Sequence, residues 1–67
     1  MFAKFMRDKR EQLGLTQVEA AAQIGVHRMT LSNWERGLRP NLDQLFKVAD
    51  WADVTTDELR SYLEVAV

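Results

Sequence analysis

Apolar residues recur along this chain at helical steps, and glycine or proline stands between the recurrences. Phe2, Met6, Lys9 or Arg10, and Leu13 fall three or four apart, which predicts a first helix over about residues 2–12. Gly14 then stops it, since glycine readily takes the left-handed conformation past a helix end. The next start is Leu15-Thr16-Gln17-Val18-Glu19-Ala20. Thr16 and Glu19 are spaced as a capping box, and Leu15 and Ala20 sit at the staple positions around it. This predicts a helix over about 17–24, ended by Gly25. Val26 and Leu31 bracket a further start at His27, with a helix over about 28–36 that stops at Gly37. Its cap is poor, because an imidazole stands where Ser, Thr, Asp or Asn would bond the first free amides. Asn41 with Gln44 and Thr55 with Glu58 repeat the box, and Pro40 with Leu45 and Val54 with Leu59 repeat the staple. They predict helices over about 42–51 and 56–64. No run alternates with the period of a strand, and Val65-Ala66-Val67 is too short to decide anything. The expected fold is all-α: one compact five-helix bundle over residues 1–67 with short connections.

Length sharpens that picture. A chain of 67 residues and 7.8 kDa scales to roughly 4,400 Å² of folded surface against roughly 11,300 Å² unfolded, near the lower limit for a self-standing core. There is no cysteine, so disulfides and thiolate metal sites are excluded. A single histidine, His27, leaves almost no material for a zinc site or a catalytic triad. No cofactor and no metal are expected, and most enzyme classes are disfavoured. No apolar run approaches the ~18 residues of a membrane span. The first ten residues carry Lys4, Arg7, Asp8, Lys9 and Arg10, unlike a signal peptide, so the expected location is the cytoplasm.

The net charge of −1 hides an uneven distribution. Residues 1–40 hold Lys4, Arg7, Lys9, Arg10, Arg28, Arg36 and Arg39 against Asp8, Glu11, Glu19 and Glu35, a net of +3. Residues 41–67 hold Lys47 and Arg60 against Asp43, Asp50, Asp53, Asp57, Glu58 and Glu64, a net of −4. Such a chain can present a positive face while remaining acidic as a whole. A solvated surface with accidental clustering is the competing explanation.

The informative stretch is TQVEAAAQIGVHRMTLSNWERG, residues 16–37. Two short helices joined by Gly25-Val26-His27 must cross steeply, and the crossing needs small residues, which Ala20, Ala21 and Ala22 supply. Ile24, Val26, Leu31 and Trp34 close the inner face, with Trp34 expected in the core. Arg28, Met29, Ser32, Asn33 and Arg36 fall on the outer face at steps of three and four. That face lacks the Lys–Glu ladder of a merely solvated helix. Its residue types suit base edges: Arg bonds guanine twice, Asn bonds adenine twice, Ser bonds either, and an apolar side chain meets a thymine methyl. Arg28, Met29, Ser32 and Asn33 form the candidate base-reading set. Gln17 lies at the positive N-terminal end of its helix, where a phosphate is favoured. Arg36 and Arg39 flank the following turn as candidate phosphate contacts. Phe46, Trp51, Tyr62 and Leu63 are assigned in part to a two-fold dimer contact, with Leu45, Val48, Ala49, Val54 and Leu59 as core.

Residues 5–63 resemble the phage repressor and Cro family of helix-turn-helix proteins, a lambda-repressor-like fold. The resemblance rests on Gly14-Leu15-Thr16-Gln17, Ala21, Gly25-Val26, Leu31, Trp34-Glu35-Arg36-Gly37, Pro40 and Val54-Thr55. It implies five helices, with the second of the central pair in the DNA major groove, and homodimeric operator binding that regulates transcription. The expected site is an approximately palindromic double-stranded operator, and with no effector domain, catalytic site or ligand pocket in the pattern the expected mechanism is occupancy. It also implies a phosphate-contacting Gln17 and a structural ion pair between Arg10 and Glu35, direct phosphate contact being the second use for Arg10. His27 departs from the family's small polar cap, either to donate to a base or phosphate or as a tolerated surface residue. Arg7 and Lys9 are read as ordinary exposed residues. The length matches a complete Cro-type regulator, so the expectation is a full protein. Two alternatives stand beside this one: an autoregulator of antitoxin type that also binds a protein partner, and a helical protein-interaction module without DNA binding.

Overall fold

Start and stop signals along the backbone produce five helices in the expected order. The computed structural model describes residues 1–63, with α1 at Phe2–Gln12, α2 at Gln17–Ile24, α3 at Arg28–Glu35, α4 at Leu42–Ala52 and α5 at Thr56–Leu63. No strand occurs among the described residues. Glu64 of the expected fifth helix and the tail at 65–67 lie outside them. The third helix is one residue shorter than the pattern suggests, because Arg36 is its C-terminal cap residue.

Two capping boxes close in both directions. Thr16 Oγ1 accepts the Glu19 N–H at 3.1 Å while the Thr16 N–H donates to Glu19 Oε1 at 2.9 Å. Asn41 Oδ1 accepts the Gln44 N–H at 2.8 Å, and the Asn41 N–H donates to Gln44 Oε1 at 2.9 Å. The backbone and hydroxyl of Thr16 hold the exposed Glu19 carboxyl below its ordinary value of 4.5. At α5, Thr55 Oγ1 accepts the Glu58 N–H at 3.1 Å.

Four helix ends share one device. A backbone N–H reaches back five residues: Leu15 to Arg10, Val26 to Ala21, Leu38 to Asn33 and Val54 to Ala49, at 3.0–3.1 Å. Each needs a left-handed residue just before the donor. At Gly25 (φ +93°) an added Cβ would meet nothing within 4 Å, so the dihedral alone demands glycine. At the end of α4 the same role falls to Asp53, at φ 56°. No glycine marks that position, so the stop signal was not visible in the pattern.

Each of the five helices contributes at least one core residue. Phe2 and Met6 of α1, Ala20, Ala21 and Ile24 of α2, Leu31 and Trp34 of α3, Val48 and Ala49 of α4 and Leu59 of α5 form one cluster. Trp34 meets Phe2 edge to face with ring centroids 5.9 Å apart. The α3 helix packs on both α1 and α2, α4 backs α2, and α5 spans α1 and α4. The Cα radius of gyration is 10.9 Å, against about 11 Å expected for this length.

Two expected inward residues face out. Leu13 is exposed, because it is the cap residue where the chain leaves α1. Ala22 is exposed while Ala20 and Ala21 are buried, since three consecutive residues span too wide an arc to share one helix face. Of the other expected core residues, Leu45 and Val54 are half-buried against the cluster.

Candidate nucleic-acid interface

The α2–turn–α3 unit is closed by a carboxylate. Glu35 ends α3 and is buried, and Arg10 of α1 grips it from below. Arg10 Nε donates to Glu35 Oε2 at 2.8 Å and Nη2 to Oε1 at 3.1 Å, a two-point fork. A third donor, Nη1, bonds the Leu15 carbonyl at 3.0 Å. The side chains of the pair are only 17% and 6% exposed. The hydrogen bond to Glu35 raises the Arg10 pKa above its ordinary value, against the opposing effect of burial. Gln17 Nε2 donates to Glu35 Oε1 at 3.3 Å, so the first residue of α2 joins the same carboxylate. One side chain thus ties together α1, the start of α2 and the end of α3.

In the free chain Arg10 is engaged by Glu35. The ion pair is present, and a phosphate contact would compete with three internal hydrogen bonds. Arg7, read as an ordinary exposed residue, is also employed: its Nη2 donates to the Glu35 carbonyl oxygen at 3.2 Å. The signal was available, since Arg7 and Arg10 are three apart and share a helix face. Lys47 Nζ donates to the Gly25 carbonyl at 3.3 Å, tying α4 to the turn between α2 and α3. That contact links residues 22 apart, and no local pattern announces it.

With Leu31 and Trp34 buried, the opposite face of α3 stands outward. His27, Arg28 and Met29 are exposed, Ser32 and Asn33 are half-exposed, and Arg36 and Arg39 are exposed. Met29 is 57% exposed, unusual for an apolar side chain on a helix whose other large apolar residues are fully buried. His27 takes the N-cap of α3 without a side-chain hydrogen bond. The expected base-reading set therefore lies together at the start and along the outside of one helix. Gln17 is half-exposed.

The residues assigned to a dimer contact divide into two groups. Phe46 and Tyr62 are exposed. Trp51 and Leu63 are half-buried against the chain's own core, and Trp51 Nε1 donates to Gln23 Oε1 at 3.1 Å. Tyr62 packs on Phe5 of α1 with ring centroids 4.7 Å apart. These two rings wall a cavity of about 270 Å³, rimmed by Lys4, Asp8 and Lys9, to which α2 and α3 contribute no residue. Among the described residues, no group of three or more His, Cys, Asp or Glu side chains is placed to hold a metal ion. No helix there is long and apolar enough to cross a membrane.

A family model described as Helix-turn-helix matches residues 6–59, most of the chain. The chain belongs to this helix-turn-helix family. Its membership is of the phage repressor and Cro type, as the motif residues implied. Among curated relatives, the HTH-type transcriptional regulator ImmR of Bacillus subtilis is 38% identical over 64 residues, covering 94% of this chain and 50% of ImmR. The chain thus spans half the length of that relative. A UPF0291 protein of Lactobacillus delbrueckii subsp. bulgaricus is 36% identical over 53 residues, covering 78% of this chain and 68% of that protein. Among solved structures, the biofilm master regulator SinR in complex with DNA superposes with a TM-score of 0.77 at 31% identity. That match covers 90% of this chain and 98% of SinR's. The helix-turn-helix unit of this family is thus the α2–turn–α3 unit clamped by Glu35.

Proposed function

We propose that this helix-turn-helix chain binds double-stranded DNA with α3 in the major groove and regulates transcription by occupying an operator. The observation that carries the proposal is the outward face of α3. Its hydrogen-bonding side chains are exposed or half-exposed while Leu31, Trp34 and Glu35 lock the helix to the body from behind. A helix held rigidly from one side and polar on the other can enter a groove about 12 Å wide without reorganising. ImmR is named a transcriptional regulator and SinR was solved on DNA, and both relatives support the same reading.

In this reading Arg28, Met29, Ser32, Asn33 and His27 face the bases. Gln17, Arg36 and Arg39 face phosphates at either side. Arg10 supports the surface through Glu35 and stays off the DNA. One chain presents one recognition helix, so a homodimer on an approximately palindromic site, with half-sites about 34–36 Å apart, completes the arrangement.

Fluorescence anisotropy on sequences selected from a random DNA pool tests the roles. Arg28→Ala is expected to relax base preference at one position, at a cost of roughly 1–3 kcal/mol on the best site. Arg39→Ala should weaken every sequence by a similar factor and flatten the salt dependence by about one unit of slope. If Arg28→Ala also acts equally on all sequences, α3 does not read bases through this residue.

A further inference from the structure

We propose that Arg36 is a positioning residue for base readout: its guanidinium fixes the flip of the Asn33 amide, so that Asn33 meets the groove as a hydrogen-bond donor. The proposal rests on the DNA-binding reading above and goes beyond the phosphate role given there to Arg36. Its starting point is the 2.6 Å hydrogen bond from Arg36 Nη2 to Asn33 Oδ1.

A guanidinium has only donors, and an amide nitrogen has no acceptor to offer it. Of the two flips of the Asn33 amide, only the one that turns oxygen toward Arg36 makes this bond. Nδ2 is then directed away from Arg36, and among the described residues it has no hydrogen-bond partner. The backbones beneath both side chains are stitched in place. The Arg36 N–H bonds the Ser32 and Asn33 carbonyls at 3.1 Å, and the Leu38 N–H bonds the Asn33 carbonyl at 3.0 Å. Between them Trp34 and Glu35 are buried. Only side-chain torsions are left to lose when the pair forms, and Arg36 is always charged, so the lock persists at any pH the fold survives.

The consequence is chemical. In the major groove guanine offers the acceptors N7 and O6 and thymine O4, adenine pairs the N7 acceptor with an N6 amino donor, and cytosine offers the N4 amino donor with no acceptor beside it. A freely flipping asparagine accommodates either polarity. A locked one presents its donor and disfavours cytosine at the base it faces. Four further N–H groups of Arg36 remain for a phosphate, so the residue carries two separable effects: a uniform one on all sequences and a selective one at a single base.

The test uses the full chain. Sites are selected from a random DNA pool, and the base read by Asn33 is located as the position whose preference disappears in Asn33→Ala. Affinities for the four bases at that position are then measured for the unsubstituted chain, Arg36→Ala, Asn33→Ala and the double variant. The unsubstituted chain should disfavour cytosine there by roughly fivefold, the size of one net hydrogen bond. Arg36→Ala should bring that ratio close to one, on top of a uniform loss. In the Asn33→Ala background it should change no base preference. A uniform loss alone, with the cytosine ratio intact, overturns the proposal. A second arm needs no DNA: the ¹⁵N side-chain amide of Asn33 in the free chain should be rigid, and mobile in Arg36→Ala. An amide equally mobile in both also overturns it. If the unsubstituted chain selects no sequence, the DNA-binding reading falls and this role falls with it, whatever the amide does. Arg36 is exposed, so an unchanged thermal melt confirms that the variant is folded.

Discussion

Glu35 is the charged side chain on which the interface depends. It is buried, yet Arg10 and Gln17 bond both of its oxygens, so its desolvation is offset by three hydrogen bonds. Removing the cation leaves an uncompensated buried carboxylate, which costs far more than losing a surface pair. Lys4 with Asp8 is such a surface pair and contributes little. We predict that Arg10→Met destabilises the chain by about 3–5 kcal/mol, read by urea denaturation. Combining it with Glu35→Leu should restore much of that loss, because both charges are then gone. A cost below about 1 kcal/mol for Arg10→Met would mean that the pair behaves as a solvated one.

Among the elements, α3 is the one whose start is weakest. Thr16, Asn41 and Thr55 each accept an N–H three residues on, and His27 does not. The first amides of α3 are therefore left for another acceptor, at the end of the helix proposed to meet DNA. His27→Ser supplies a cap and should stabilise the free chain by about 1 kcal/mol. For a domain of this size that is a rise of about 4–8 °C in Tm, measurable by circular dichroism. An unchanged Tm would show that these amides are already satisfied. The ends of the helices were easier to read than the exact boundaries. Gly14, Gly25 and Gly37 mark three of them, whereas Asp53 ends α4 in a left-handed conformation that a glycine-based pattern does not see.

At the scale of the molecule, one chain offers one recognition helix on a body with extents of 34 × 21 × 21 Å. The approximately palindromic site proposed above would call for two copies. Phe46 is 50% and Tyr62 39% exposed, and these aromatic rings are the apolar surface proposed for self-association. Trp51 and Leu63 are half-buried against the core of their own chain. Replacing both Phe46 and Tyr62 by Ser should weaken the dimer at least about tenfold, the equivalent of 1.4 kcal/mol, in sedimentation equilibrium. An unchanged dimer constant would move the contact elsewhere.

Local signals in the chain were sufficient for the number, order and approximate limits of the helices, because caps, staples and left-handed stops act within five residues. They also decided which face of α3 is apolar, since a 3.6-residue period needs no knowledge of the partner. Family motifs carried the Arg10–Glu35 pair. Tertiary structure alone decided what each polar side chain holds. Arg7 reaches a carbonyl 28 residues away, Lys47 one 22 residues back, and Trp51 a glutamine 28 residues back. Such contacts form only when helices distant in sequence are brought side by side, and hydrogen bonding is specific to the geometry that results. Ala22 and Leu13, by contrast, are left outside by the geometry of their own helices, because a helix face and a cap residue each have room for only some of the candidates.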